Sequence, residues 1–194
     1  MNDSSGPHAR SGLRRALFVD RDGTLNPDLH YLKDANRIEL FRGVGDALWL
    51  AHLHGFLTIC VTNQSGVERG LYTDEDVERI HARLNQLLLR HGAAIDAFYY
   101  CPHAPEHRCA CRKPGTLLFE RARDEWNIDL GASAIIGDRG LDVEAGRRLG
   151  MLTAIVPRPG LEAAAEAELS ERGVRADLTA STFANAALRI LSRG

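Results

Sequence analysis

Asp20 and Asp22 stand two residues apart in the stretch ALFVDRDGTLN (16–26), directly after four apolar residues. Two carboxylates this close repel each other, so something positive must neutralise them. A hard cation with oxygen ligands suits that role, and Mg2+ suits it where the substrate carries phosphate. A third acid, Asp138, closes the run IIGD (135–138), and Asp142 follows four residues later. Asp142 reads either as a further acid of this group or as a helix N-terminal acid favoured by the helix dipole. In VTNQSG (61–66), Thr62 offers a hydroxyl, and Asn63, Gln64 and Ser65 offer further donors and backbone N–H groups. Such a turn can cradle phosphate oxygens. Lys113, in CRKPG (111–115), adds a cation just before a helical pattern. Carboxylates, a metal site, hydroxyl and amide donors and a lysine together fit phosphoryl transfer, which depends mainly on positioning and charge neutralisation.

A second constellation is CPHAPEHRCACRKPG (101–115), which offers Cys101, His103, Cys109 and Cys111. Three thiolates and one imidazole make a closed tetrahedral zinc set with no position left for a substrate or water. His107 competes with His103 for the fourth place. A Cys109–Cys111 disulfide would be strained at that spacing. The expected work of this zinc is structural. Its binding is worth roughly 10–16 kcal/mol in peptides, ample to order a loop with almost no apolar residues. The loop ends at Arg112-Lys113, so ordering it aims two cations at the acids.

These residues need elements to carry them. Short apolar runs at 15–20, 56–62, 95–101, 133–138 and 152–157 read as buried strands, with a shorter one around 176–178. Helical patterns lie between them. Val44, Ala47, Leu48 and Ala51 share one face, and Gly55 stops that helix. Thr73 and Asp76 form a capping box before the stripe Val77, Ile80, Leu84, Leu87 and Leu88. Strand–helix alternation predicts an α/β fold: a three-layer, Rossmann-like parallel sheet with helices on both faces. Ligands of such sheets bind at the carboxyl ends of strands near the switch point. Asp20, Thr62 and Asp138 all fall at predicted strand ends. Asp22 lies one pleat period beyond Asp20, which would put both side chains on one side. Only 41 residues separate Asp20 from Thr62, and no large cap domain fits there. Loops near 26–37, 65–72 and 101–112 should frame an open pocket.

The 194 residues suit one domain, read as 13–194 with a disordered tail at 1–12. The formal net charge of -2 argues against broad nucleic-acid binding. No apolar run approaches the ~18 residues of a membrane span, and the polar N-terminus lacks the apolar stretch of a secretory signal. A cytoplasmic monomer with reduced thiols is the expectation.

Four segments, DRDGT, Thr62, Lys113 and GDRGLD, resemble in order the four motifs of the haloacid dehalogenase-like phosphatases, from about residue 15 to 190. The resemblance implies that Asp20 is the nucleophile and forms a phosphoaspartyl intermediate. Asp22 then protonates the leaving oxygen and later activates water. Mg2+ is held by Asp20, the Asp22 carbonyl and Asp138, and Thr62 and Lys113 steady the phosphoryl group. The zinc loop resembles a subfamily that includes heptose-bisphosphate and histidinol-phosphate phosphatases. TNQSGVERG, with its Arg69-Gly70 pair, and NPDLHYL are similar to the heptose branch. The substrate loop of that branch carries over to Asp28, Leu29, His30 and Tyr31. Arg139 stands where a lysine often does. Arg112, next to Lys113 but pointing the other way in an extended segment, is free for a distal phosphate, with Arg69 and Arg139 nearby. The implied substrate is a small sugar phosphate. A histidinol-phosphate phosphatase is the enzymatic alternative, and a zinc-stabilised interaction module the non-enzymatic one.

Overall fold

The computed structural model describes residues 12–193. Of the tail expected at 1–12, residues 1–11 lie outside the described residues. Gly12 is held, since its carbonyl accepts from Asn127 Nδ2 at 2.7 Å. Six strands form one parallel sheet: β1 (Arg15–Val19), β2 (Phe56–Asn63), β3 (Ala97–Cys101), β4 (Ala134–Gly137), β5 (Leu152–Ile155) and β6 (Leu178–Thr179). Their spatial order is β3-β2-β1-β4-β5-β6. The chain runs outward from β1 to one side, then returns to start β4 on the other. The switch point therefore lies between β1 and β4.

The six helices are α1 (Val44–Leu53), α2 (Asp74–Leu89), α3 (Leu117–Trp126), α4 (Gly140–Arg148), α5 (Glu162–Glu171) and α6 (Phe183–Leu191). Strands buried on both faces read as unbroken apolar runs, and β1 is such a strand. Leu17 and Val19 enter the core with Val44, Leu48, Ile80, Leu84 and Ile190 of α1, α2 and α6. Ala16 and Phe18 face the other way, among Leu118, Phe119 and Ala122 of α3 and Ala145 of α4. Phe18 and Phe119 meet edge to face, with ring centroids 5.2 Å apart. The predicted face of α1 is buried, and so is the α2 stripe except for Leu87, which is half-buried against it. Thr73 and Asp76 form the capping box in both directions. Strand β3 begins at Ala97 rather than Ile95, because the Asn85 side chain takes both backbone groups of Ile95, accepting its N–H at 2.7 Å and donating to its carbonyl at 3.0 Å.

Register sets the site. Val19 pairs with Cys60 on one side and Ile136 on the other. Asp20, Thr62 and Asp138 thus arrive at one edge of the sheet. Between β1 and α1 the only regular element is the 3-10 turn Ala35–Arg37, so no cap domain interrupts the described residues there.

Candidate active site

The cleft at the carboxyl ends of β1, β2 and β4 has a volume of about 190 Å3. Asp20, Asp22, Thr62, Asn63, Gln64, Ser65, Arg112, Lys113 and Arg139 line it, as do Asp28, Leu29, His30 and Tyr31. The loops after β1, β2 and β3 therefore contribute as the spacing suggested. Arg69 does not line the cleft. Its guanidinium reaches Glu106 at 3.5 Å, which draws it toward the cysteine loop.

Lys113 is buried at the centre of the acids. Its Nζ lies 2.8 Å from Asp20 Oδ1 and 2.6 Å from Asp142 Oδ1. Burial disfavours its charge, but Asp142 and Asp20 more than compensate and raise its pKa. Asn63 holds this lysine by its backbone: Lys113 N–H donates to Asn63 Oδ1 at 3.0 Å, and Asn63 Nδ2 donates to Lys113 O at 3.3 Å. Asp142 belongs to the site as well as to the helix end. One oxygen meets Lys113, and the other accepts the Arg139 N–H at 3.2 Å. Gly137 makes the room, because a Cβ there would fall 2.3 Å from Asp142 Cγ.

Carboxylate oxygens of Asp20, Asp138 and Asp142 converge within 4.8 Å of one another. Burial, then the charges of Asp20 and Asp142, push the Asp138 pKa up to about 8. Burial and Asp20 push Asp142 up to about 6, against the pull of Lys113. Asp138 Oδ1 is buried and has no hydrogen-bond partner. A crowded acid with a bare buried oxygen is what a divalent cation would relieve, so the donor set fits one.

The Asp22 side chain stands apart from that cluster. Strand β1 ends at Val19, so the turn, not the pleat, carries Asp22 to the cleft. Gly23 makes that turn with φ 87°. The Asp22 carboxylate receives Arg21 Nε at 3.1 Å and Nη2 at 2.7 Å, Asn26 Nδ2 at 3.0 Å and Gln64 Nε2 at 2.9 Å. Burial alone would raise its pKa, but the Arg21 charge and these donors hold it below the usual carboxylate range. Gln64 is occupied entirely within the protein. It also donates to Thr62 Oγ1 at 2.9 Å and accepts from Arg21 at 3.0 Å and from the Tyr72 hydroxyl at 2.7 Å.

Arg21, Asn26, Tyr72, His81 and Arg158 were not among the residues expected here. Arg21 is only 1% exposed and also meets His81 Nε2 at 3.3 Å. Burial and Arg21 lower the His81 pKa to about 3, so the ring stays neutral under its stacking partner Phe98. An arginine between two aspartates is a local signal that could have marked this pair. Nothing local marks Arg158, which reaches Asp138 and Asp28 from the segment after β5.

In the cysteine loop, the Sγ atoms of Cys101, Cys109 and Cys111 are 3.2–3.5 Å apart, and His103 Nδ1 lies 3.2 Å from Cys111 Sγ and 3.6 Å from Cys101 Sγ. Tetrahedral zinc would set such donors about 3.7 Å apart, so they need to spread only slightly. His107 lies outside this group of four. Its Nδ1 faces Glu68 Oε1 at 2.8 Å while its ring stacks on His103.

A haloacid dehalogenase-like (HAD) hydrolase family model matches residues 110–186. The chain is 36% identical over 162 residues to the D-glycero-beta-D-manno-heptose-1,7-bisphosphate 7-phosphatase of Haemophilus ducreyi, covering 80% of this chain and 89% of the relative. The chain belongs to the haloacid dehalogenase-like phosphatases. The Helicobacter pylori phosphatase of the same name is 41% identical over 133 residues, 68% of this haloacid dehalogenase-like chain and 76% of the relative. A crystal structure of D,D-heptose 1,7-bisphosphate phosphatase from B. bronchiseptica, complexed with magnesium and phosphate, superposes with a TM-score of 0.81 at 25% identity, covering 93% of this chain and 99% of that one. This haloacid dehalogenase-like fold contains no helix long and apolar enough to cross a membrane among its described residues.

Proposed function

We propose that the protein removes the C7 phosphate of D-glycero-D-manno-heptose 1,7-bisphosphate, with Mg2+ as catalytic and Zn2+ as structural metal. The observation that carries this is the buried cluster of Asp20, Asp138 and Asp142 around Lys113, in a chain 36–41% identical to phosphatases of that name. Asp20 and Asp138, with the Asp22 carbonyl, would hold Mg2+, which offsets the negative charge of the phosphoryl group. An Asp20 oxygen attacks phosphorus, the bond to the C7 oxygen breaks, and Asp22 gives that oxygen a proton. Asp22 then takes a proton from water, whose oxygen attacks the phosphoaspartyl group and frees phosphate and Asp20. The Arg21 pair suits Asp22 to this second step. For the first step Asp22 takes up a proton from solvent as the substrate binds, because the nearby phosphoryl anion raises its proton affinity. Lys113 and Thr62 steady the transferred group, and Arg112 reads the distal phosphate. In support, Arg112 lines the cleft and its Nη1 donates to His103 O at 3.1 Å. The substrate is a small sugar phosphate handled in the cytoplasm by a monomer that binds no nucleic acid.

The test is phosphate release, with and without Mg2+, from both anomers of the heptose bisphosphate, from heptose 7-phosphate and from histidinol phosphate. The bisphosphate should give the highest kcat/KM, with the β anomer preferred as in the relatives' names. Arg112→Ala should weaken its use by about 1.5–3 kcal/mol and leave the monophosphate nearly unaffected. Faster hydrolysis of histidinol phosphate would overturn the reading, and no release from any of them would point to a binding module.

A further inference from the structure

We propose that Arg158 is a positioning residue that couples the cation site to the substrate loop, an inference that rests on the phosphatase reading of this cleft. One guanidinium serves two acids: Arg158 Nε lies 3.1 Å from Asp138 Oδ2, and Nη1 lies 2.9 Å from Asp28 Oδ2. The arginine stem crosses the turn at Gly23, where a Cβ would stand 3.2 Å from Arg158 Cδ. Neither aspartate is near residue 158 in sequence, and the segment PRPG (157–160) gives no local hint of the role.

At the first end, Arg158 occupies Oδ2 of Asp138, a member of the acid cluster, and the other oxygen, Oδ1, is buried with no hydrogen-bond partner. A partner that fixes one oxygen of a metal ligand decides where the other points. Removing such a partner typically costs 10–100-fold in metal affinity. An arginine near a dication also repels it, and the two effects compete. Here the repulsion is small, because Asp28 matches the Arg158 charge. A cation at Asp20 and Asp138 faces an ion pair of zero net charge, and Arg158→Met with Asp28→Asn keeps that charge at zero, so in the double variant orientation decides the sign.

At the second end, Asp28 does not present a free carboxylate to the cleft. Its Oδ2 is taken by Arg158, and its Oδ1 accepts the His30 N–H at 3.0 Å. His30 and Tyr31 both sit in the left-handed region, with φ 46° and 56°. Consecutive non-glycine residues there persist only when their surroundings hold them. The Arg158–Asp28–His30 chain is such a restraint, and it sets Tyr31 against the cleft.

The experiment uses the full chain. Mg2+ binding to substrate-free protein is measured by calorimetry for wild type, Arg158→Lys and the double variant Arg158→Met, Asp28→Asn, with circular dichroism to confirm folding. KM and kcat for the heptose bisphosphate are then measured at saturating Mg2+ for Arg158→Met, Asp28→Asn and the double variant. The double variant Arg158→Met, Asp28→Asn should bind Mg2+ about tenfold or more weakly. Arg158→Lys, which keeps the charge but loses the two-ended fork, should shift the same way by less. Both Arg158→Met and Asp28→Asn should raise KM more than they lower kcat, and the double variant should be no worse than the poorer single one. Unchanged or tighter Mg2+ binding in both Arg158→Lys and the double variant, or KM losses that multiply in the double variant, would overturn the proposal. Calorimetry needs no turnover, so a failure of the phosphatase reading would be seen separately, as no phosphate release by wild type.

Discussion

Gly23→Ala isolates the contact between the turn after β1 and the acid cluster. Two costs can be separated from the structure. Gly23 has φ 87°, and forcing an L-residue into a left-handed conformation costs about 1–2 kcal/mol. At 194 residues that lowers Tm by roughly 2–8 °C. The second cost is local: the new methyl would fall 2.3 Å from Asp138 Oδ2, where real Cβ contacts almost never come closer than 3.0 Å. The carboxylate must retreat by at least about 0.7 Å, and displacements near 1 Å in a catalytic constellation can cost ~100-fold. Gly150→Ala is the control. Its φ is 71°, but no atom lies within 4 Å of the Cβ it would gain, so it carries the backbone cost alone. Thermal unfolding and kcat/KM at several Mg2+ concentrations are measured for both variants. Gly150→Ala should lose the backbone cost alone and Gly23→Ala at least as much, while only Gly23→Ala loses about two orders of magnitude in activity, partly restored by high Mg2+. Equal activity in the two variants would refute the claim that Gly23 is there to let Asp138 approach.

Asp20→Asn should abolish turnover, because an amide cannot attack phosphorus, whereas Asp22→Asn should retain more, losing ~10²–10⁴-fold; single-turnover phosphate release checks both, and full activity in Asp20→Asn would exclude the covalent route. Removing zinc by chelation should loosen residues 101–113 and weaken substrate binding without altering the requirement for Mg2+; limited proteolysis and KM report this, and a protease-resistant loop with normal kinetics would refute it. The Arg21–Asp22 pair should make stability pH-dependent in a defined direction. The folded pKa of Asp22 lies below its unfolded value, so the pair's contribution is present above about pH 4 and is lost as pH falls through the folded pKa. Urea denaturation should therefore show the gap between wild type and Arg21→Met narrowing from pH 7 toward pH 3, and a constant gap would mean that Arg21 acts through packing alone.

The sheet and the acids at its edge were legible in the sequence because each depends on local information. A central parallel strand needs an unbroken apolar run, and ALFV supplies one before Asp20. The Thr73–Asp76 box is likewise a pattern of neighbours. Asp22 does reach the same cleft as Asp20, but by a different route: strand periodicity stops at Val19, and past that point turn geometry takes over. That turn brings Arg21 inward onto Asp22 and His81, which a period of two would not anticipate. Gln64 looked like a free donor, but its amide is saturated by Asp22, Thr62, Arg21 and Tyr72. Arg158 was invisible for the opposite reason: its partners are set by the tertiary fold and leave no mark on its neighbours in the chain.

The two-way clip from Asn63 to the Lys113 backbone bears on how this fold can diversify. Strand β3, which leads into the cysteine loop, is at the rim of the sheet, whereas β1, β2 and β4 are interior. The loop leaves from Cys101 and must return Lys113 to a fixed place beside Asp20 and Asp142. Because Asn63 sits on β2 and grips both backbone groups of that lysine, the return point is anchored independently of the path between. Residues 104–108 can then lengthen, shorten or change their charge during evolution without displacing the lysine, provided the four donors still close on their metal. Substrate preference can drift at the rim while the interior strands inherit the chemistry unchanged.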